Sequence, residues 1–123
     1  MEARRYIENA RIILYMHELS MPCRAIKSLL IAGDVRFTEK IINPFNGELK
    51  SPEILKLNPA GSIPFITVNG EPFLESQAIM RFLCGVCPSL NAYYPVDPFK
   101  KHQVDALLDF NGTEFRPKSI KPI

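Results

Sequence analysis

A hydroxyl and a thiol lie three residues apart in the segment LSMPCRA, at Ser20 and Cys23. The apolar run ARIILYM precedes this segment and the run IKSLLIA follows it, which predicts a buried strand that leads into a helix. A serine just before a helix, with Pro22 in its first turn, is typical of an N-cap. Cys23 has the offset of the second thiol of a CxxC motif, but Ser20 takes the place of the first thiol. Dithiol redox chemistry is therefore not available at this helix start.

The other two cysteines, Cys84 and Cys87, do have CxxC spacing. They lie at the end of an apolar segment and just before Pro88, whereas a redox CxxC motif normally lies between a strand and a helix start. Neither His17 nor His102, the only histidines, has metal-ligand spacing to this pair. We therefore expect two buried thiols and no metal site.

The composition of the 123 residues, 46% hydrophobic and 23% charged, is that of one compact soluble domain. The net charge is +2 and the basic residues are scattered, which argues against nucleic acid as a partner. No stretch approaches the roughly 20 apolar residues of a membrane span, so no membrane partner is expected. The odd number of cysteines and the absence of a signal-peptide pattern favour reduced thiols and a cytoplasmic location.

Helical and strand patterns alternate along the chain, which predicts an α/β fold in the order β-α-β-α-β-β-α with a mixed four-stranded sheet. The first two strands flank a helix and are expected to pair in parallel, whereas an Asn-Gly turn predicts an antiparallel hairpin in the second half. The predicted elements are a strand at Ala10–Met16, a helix at Met21–Ala32, a strand at Val35–Ile42, a helix that begins at Ser51-Pro52 and ends near Asn58, a hairpin around Asn69-Gly70 and a helix from Ser76.

The motifs on these elements resemble those of the thioredoxin-like N-terminal domain of cytosolic glutathione S-transferases, most closely the theta class and its delta-like relatives. LSMPCRA looks like the theta serine motif, NPAGSIPF like the loop and cis-proline strand, and LESQAI like the Glu-Ser start of the third helix. YYPVDPFKKHQVDALLDF resembles the linker and first helix of the family's helical domain. The resemblance covers roughly Arg11 to Phe110, most of the chain.

The resemblance implies four regions along the chain. They are an N-terminal extension at 1–9, a thioredoxin-like glutathione-binding domain at 10–88, a linker at 89–96 and the start of an all-α C-terminal domain at 97–123. Because the helical domain of the family contains several helices and supplies most of the electrophile pocket, this last region is expected to be truncated.

The implied activity is that of a glutathione S-transferase, in which the thiolate of the co-substrate glutathione is conjugated to a small electrophile without a metal. The resemblance assigns the catalytic role to Ser20, whose hydroxyl would donate a hydrogen bond to the thiolate at the positive end of a helix. Other classes use a tyrosine hydroxyl in this region, which makes Tyr15 the competing candidate. We expect Tyr15 to pack inside the protein instead.

The resemblance also assigns the contacts that hold glutathione. The backbone of Ile63, turned outward by a cis bond to Pro64, would pair with the cysteinyl backbone of the ligand. Ser76 would hold the γ-glutamyl carboxylate at a helix N-terminus, with Glu75 facing the ligand's ammonium group. Asp105 matches an aspartate that reaches the γ-glutamyl amine across the interface of a homodimer.

One position departs from the family pattern. Theta and delta enzymes usually place a histidine two residues after the glycine of the NGELK segment, in contact with the glycyl carboxylate of glutathione, and this chain has Leu49 there. Lys50 offers a replacement charge at the next position, although a loop lysine is more often simply exposed. The glycyl end of the site is therefore the least well defined by the sequence.

Two other functions fit the same residues. The first is a non-catalytic glutathione-transferase-like module that serves as a docking surface for other proteins. The second is a glutaredoxin-like thiol reductase that uses Cys23, which is the less favoured because the motif has a single thiol.

Overall fold

The computed structural model describes residues 7–110 and shows an α/β fold built on a mixed four-stranded sheet. The predicted order of elements is confirmed, and short 3-10 turns at Glu48–Lys50 and Pro88–Tyr93 are added to it. The elements are β1 (Ile12–Met16), α1 (Met21–Ala32), β2 (Thr38–Ile41), α2 (Pro52–Leu57), β3 (Phe65–Val68), β4 (Glu71–Phe73), α3 (Ser76–Val86) and α4 (Pro98–Phe110).

Strand β2 is shorter than the sequence predicts, because it begins at Thr38 and not at Val35. The chain leaves helix α1 through Asp34, which has a positive φ of 54°, and the Val35 N–H then donates to the Leu30 carbonyl at 2.9 Å. This hydrogen bond ties Val35 to the end of the helix, so pairing with β1 starts only at Thr38, opposite Ile13.

Two compact units make up the described chain, one that ends at Asn91 and one that begins at Ala92. The sheet and helices α1 to α3 belong to the first unit, and α4 belongs to the second. No helix within residues 7–110 combines the length and the apolar character needed to cross a bilayer. The predicted regions at 1–9 and 97–123 extend beyond the described residues at positions 1–6 and 111–123.

The register of the sheet brings the segments that follow β1, β2 and β4 and the segment that precedes β3 to the same end of the sheet. Strand β1 pairs with β2 in parallel and with β3 antiparallel, and β3 pairs antiparallel with β4. Tyr15 lies opposite Phe65, so β3 begins where β1 ends, and β4 ends beside the start of β3. These strand termini lie at the same end of the sheet. We call it the site end and define it by Met16, Ile41, Phe65 and Phe73.

The core lies on both faces of the sheet, and every residue of the central strand β3 is buried. On one face the rings of Tyr15 and Phe65 stack with their centroids 4.4 Å apart, in a cluster with Ile42 and with Ile54 of α2. Because side chains alternate along a strand, Leu14 and Ile66 point to the opposite face. Helices α1 and α3 contact each other and cover the strands there, with fully buried side chains that include Ile26, Leu30, Ile79 and Leu83.

Gly61, in the loop before β3, cannot accept a side chain without strain. Its φ is +61°, and an added Cβ would come within 2.9 Å of the Leu49 carbonyl oxygen.

We expect Gly61→Ala to lower the free energy of unfolding by about 1–3 kcal/mol. The matched control is Gly85→Ala in α3, where the new Cβ would meet no side chain and no other segment of the described chain within 4 Å. This control should raise the free energy of unfolding by up to about 1 kcal/mol, as measured by urea denaturation. Equal stability of the two variants would contradict this account.

Candidate functional site

Ser20 is the N-cap of helix α1 at the site end of the sheet. Its backbone is extended, with φ −89° and ψ 123°, and its Oγ accepts a hydrogen bond from the Cys23 N–H at 3.4 Å. The positive end of the helix dipole therefore lies at the hydroxyl. A serine hydroxyl has two acceptor lone pairs and one proton, and capping uses only a lone pair. The proton has no acceptor among the described residues, so Ser20 can cap the helix and still donate to a ligand.

Asn58 organises the loop that leads into β3, and its side chain is 3% exposed. Its Nδ2 donates to the Ser62 carbonyl at 2.8 Å, and its Oδ1 accepts the Ala60 N–H at 3.1 Å. A buried amide needs such partners, and these bonds fix the path of the chain toward Pro64. The sequence patterns above do not predict this role, although an asparagine followed by a proline directly after a helix is a signal for a side-chain-stabilised turn.

The Ile63–Pro64 peptide bond is cis. The side chain of Ile63 packs against the cluster formed by Tyr15, Ile42, Ile54 and Phe65, so it points into the protein. Within residues 7–110, neither the N–H nor the C=O of Ile63 has a hydrogen-bonding partner. The backbone of this residue is therefore available at the site end while its side chain is not.

Helix α3 starts in a different way from the two helices before it. Ser20 and Ser51 cap α1 and α2, each accepting an N–H through its side chain at 3.4 Å. Glu75 occupies the N-cap of α3, with φ 70° and ψ 109°, and its side chain makes no capping hydrogen bond. A non-glycine residue in this conformation is strained by about 1–3 kcal/mol, and such strain is typical of functional sites. Ser76, the first residue of the helix, is half-buried, whereas Glu75 is exposed.

The segment that should contact the glycyl end of glutathione shows why Leu49 differs from a histidine. The side chain of Leu49 is partly buried against the Tyr15 and Phe65 cluster, so this position faces the core. Lys50 is exposed, and its Nζ donates to the Ala60 carbonyl at 3.4 Å. The ammonium group thus lies beside the loop that precedes Ile63, with further N–H donors available to a ligand.

Asp105 belongs to the second unit, whereas the other predicted site residues belong to the first. Its carboxylate accepts a hydrogen bond from the Tyr94 hydroxyl at 2.9 Å, within the same unit. The ammonium group of Lys101 lies 5.0 Å from the centre of the Tyr94 ring. Asp105 therefore belongs to a local polar cluster formed by Tyr94 and residues of α4.

Tyr15 and the three cysteines are all buried. Tyr15 is 6% exposed and stacked on Phe65, as predicted, so its ring belongs to the core. Cys23 is fully buried in the first turn of α1, which argues against a thiol reductase that uses it. Burial raises the pKa of the Cys84 thiol, and burial together with the nearby Cys84 raises the pKa of Cys87. Within the described part of the chain, no three His, Cys, Asp or Glu side chains form a group that could hold a metal ion.

The chain is similar to known proteins over the same residues that build this site. Residues 10–85 match the family model described as the N-terminal domain of glutathione S-transferase. Glutathione S-transferase T3 of Arabidopsis thaliana is 31% identical over 108 residues, which are 87% of this chain and 18% of the relative. For glutathione S-transferase T1 of the same plant the identity is 29%, over 86% of this chain and 44% of the relative. The chain spans less than half the length of these relatives.

Solved structures agree with this similarity. A glutathione transferase homologue from Drosophila mojavensis, with bound glutathione, has a TM-score of 0.81 and 33% identity over 85% of this chain and 48% of that one. A delta-class glutathione transferase from Nilaparvata lugens has a TM-score of 0.77 and 33% identity over 83% of this chain and 48% of that one. The thioredoxin-like fold and the resemblance to theta and delta enzymes are thereby confirmed.

The buried cysteines lead to a test of thiol reactivity. Because only a thiolate reacts quickly, and because Cys23, Cys84 and Cys87 are all shielded from solvent, we expect native protein to react with the disulfide reagent DTNB at least about 100-fold more slowly than urea-unfolded protein at pH near 8. Unfolded protein should release one equivalent of chromophore per cysteine. A single thiol that reacts rapidly in the native state would contradict the burial described above.

Proposed function

Since the chain belongs to the glutathione S-transferase family, we propose that it binds glutathione at the site end of the sheet and activates the glutathione thiol through Ser20. The observation that carries this proposal is the uncommitted proton of the Ser20 hydroxyl at the N-terminus of α1. The chain spans only part of the length of its relatives, and conjugation of the thiolate to a small electrophile is therefore part of this proposal.

The proposed role of Ser20 is to stabilise a thiolate and not to act as a nucleophile. A thiol with a pKa of about 8.5 is mostly protonated at neutral pH, and only the thiolate attacks electrophiles efficiently. A hydrogen bond donated by Ser20 and the positive end of the α1 dipole both favour the anion. The thiolate then forms a carbon–sulfur bond to the electrophile, and either a leaving group departs with the displaced electron pair or a proton completes an addition.

The rest of glutathione would be held largely by backbone groups. The N–H and C=O of Ile63, which precede the cis bond to Pro64 and have no partner within residues 7–110, would pair with the cysteinyl backbone of glutathione as a further strand. The γ-glutamyl carboxylate would lie at the start of α3 beside Ser76, where helix N–H groups and the dipole favour an anion. The exposed carboxylate of Glu75 would then face the γ-glutamyl ammonium group.

Two charged residues complete the proposal. Lys50, which lies beside Ala60, would pair with the glycyl carboxylate in place of the histidine that other members use. Asp105 of one protomer would reach the γ-glutamyl amine bound to its partner in a homodimer. Both contributions are secondary to those of Ser20, Ile63 and Ser76, because exposed ion pairs are worth little.

The first test compares two serines in matched positions. Ser20 and Ser51 are both N-caps with a proline in the first turn and the same 3.4 Å capping bond, but only Ser20 lies beside the proposed sulfur position. Ser20→Ala should lower the thiolate fraction of bound glutathione about five- to tenfold near pH 7, as read from the ultraviolet absorbance of the thiolate. Ser51→Ala should lower the free energy of unfolding by about 1 kcal/mol and leave the thiolate fraction of bound glutathione unchanged.

A further variant separates the two functions of the Ser20 hydroxyl. Ser20→Asp keeps a good N-cap acceptor but places a negative charge beside the sulfur. It should therefore preserve the stability of α1 and suppress the thiolate more than Ser20→Ala does. An unchanged thiolate fraction in both Ser20 variants would contradict the assignment. Tight binding of glutathione with no thiolate at all in wild-type protein would favour the non-catalytic interaction module.

The second test addresses the glycyl end. Lys50→Met should weaken the binding of glutathione about two- to fivefold, because it removes one exposed ion pair, and calorimetry at low ionic strength measures this change. Glutathione whose glycyl carboxylate is blocked as an ethyl ester should bind equally well to wild type and to Lys50→Met. Lys56→Met, an exposed lysine on α2, is the matched control. A loss of affinity in Lys50→Met that is just as large for the ester would exclude a contact with the glycyl carboxylate.

A further inference from the structure

His17 makes two hydrogen bonds that shape the turn presenting Ser20. Its Nδ1 accepts the Leu19 N–H at 3.2 Å, and its carbonyl accepts the Ser20 N–H at 3.1 Å. The side chain is half-buried, and its ring meets that of Phe45 edge to face, with the centroids 6.4 Å apart. One imidazole therefore connects the turn before α1 to the loop after β2.

The loop that carries Phe45 is held by its own hydrogen bonds. Asn43 Oδ1 accepts the Phe45 N–H at 2.8 Å, and the Glu48 carboxylate accepts the Asn43 N–H at 2.9 Å. A second bond to Glu48 comes from Asn46 Nδ2 at 3.2 Å. This hydrogen-bonded loop places the Phe45 ring, itself 79% exposed, beside the imidazole of His17.

The bond between His17 and Leu19 depends on the protonation state of the ring. A neutral imidazole has one acceptor nitrogen, whereas an imidazolium has none. Protonation would therefore place two donors, Nδ1–H and the Leu19 N–H, against each other. Histidine is the side chain type that ordinarily changes charge between about pH 5 and 8.

Charged groups near His17 include Glu18 on its own turn and Lys27 on α1, and Lys27 also pairs with Glu39 of β2 at 2.8 Å. Glu18 accepts a hydrogen bond from Lys27 at 2.8 Å, and this bond, with smaller electrostatic contributions from Lys27, Arg24 and His17, lowers the pKa of the Glu18 carboxyl. Phe45, whose ring meets that of His17 edge to face, carries no charge. Glu18 would attract an imidazolium, but this attraction does not supply an acceptor for the Leu19 N–H.

We propose that His17 is a positioning residue that holds Ser20 in place while its imidazole is neutral, and that protonation of His17 releases the turn and weakens the site in acid. The effect on glutathione rests on the function proposed above. The effect on the turn does not, because it can be measured in the protein without any ligand.

Two substitutions separate the role of the His17 side chain as a hydrogen-bond acceptor from its change of charge with pH. In His17→Asn the side-chain oxygen can accept the N–H two residues later, as asparagine commonly does in turns, but it does not titrate. In His17→Phe the ring against Phe45 is kept and the acceptor is lost. His102→Asn removes the other histidine, which is exposed on α4, and serves as the control.

The first measurement is amide hydrogen exchange at Leu19 and Ser20 without ligand, with circular dichroism to confirm folding. At about pH 7.5 we expect the two amides to be protected in wild type and in His17→Asn but not in His17→Phe. At about pH 5.5 we expect them to be protected only in His17→Asn.

The second measurement is the affinity for glutathione at the same two pH values. When the pH is lowered from about 7.5 to about 5.5, the affinity of wild type and of His102→Asn should fall by a factor about five- to tenfold larger than that of His17→Asn.

Either of two results would overturn this inference. One is full protection of Leu19 in His17→Phe, and the other is an identical pH dependence of protection and affinity in wild type and His17→Asn. If no variant binds glutathione at either pH, the proposed function fails, and the exchange data alone then decide whether His17 holds the turn.

Discussion

The pairing of Tyr15 with Phe65 is the constraint on which the rest of the site depends. The two residues lie opposite each other in antiparallel strands, and their buried rings stack 4.4 Å apart against Ile54. A slip of one residue would move every side chain of β3 to the other face of the sheet, so the stacked pair fixes the register. Because of this register, the backbone of Ile63 is presented beside the end of β1, from which the chain turns toward Ser20.

The site relies on the ends of helices and strands more than on reactive side chains. Ser20 satisfies one N–H of α1 and keeps a proton for a ligand, whereas Glu75 leaves the start of α3 without a side-chain cap and is strained. The adjacent Leu74 is anchored in the core cluster, which helps to hold Glu75 in its unfavourable conformation. The cysteines, in contrast, are buried and have no part in the proposed chemistry.

Those features of the fold that depend on local sequence were predictable. The Asn69-Gly70 turn has positive φ at both residues, and Ser20 and Ser51 cap the helices that their patterns indicate. Features that depend on which way a side chain points, or on a partner in another segment, were not predictable from the sequence. No local pattern shows that Leu49 faces the core, that Glu75 has a positive φ, or that His17 holds the turn before Ser20. The Asn58-Pro59 pair signals a turn, but it does not show that the Asn58 side chain bonds to Ser62. The shortened β2 has the same origin, since the bond from Val35 to Leu30 overrides its strand-like pattern.

The central claim is that this protein stabilises the thiolate of bound glutathione, and titration of that thiol tests it most directly. The ultraviolet absorbance of glutathione would be followed against pH with and without saturating protein, and S-methylglutathione would provide the background. The account predicts that the thiol of the bound ligand has a pKa at or below about 7.5, the range of thiols at helix N-termini. A bound thiol that titrates at the same pH as free glutathione would contradict it.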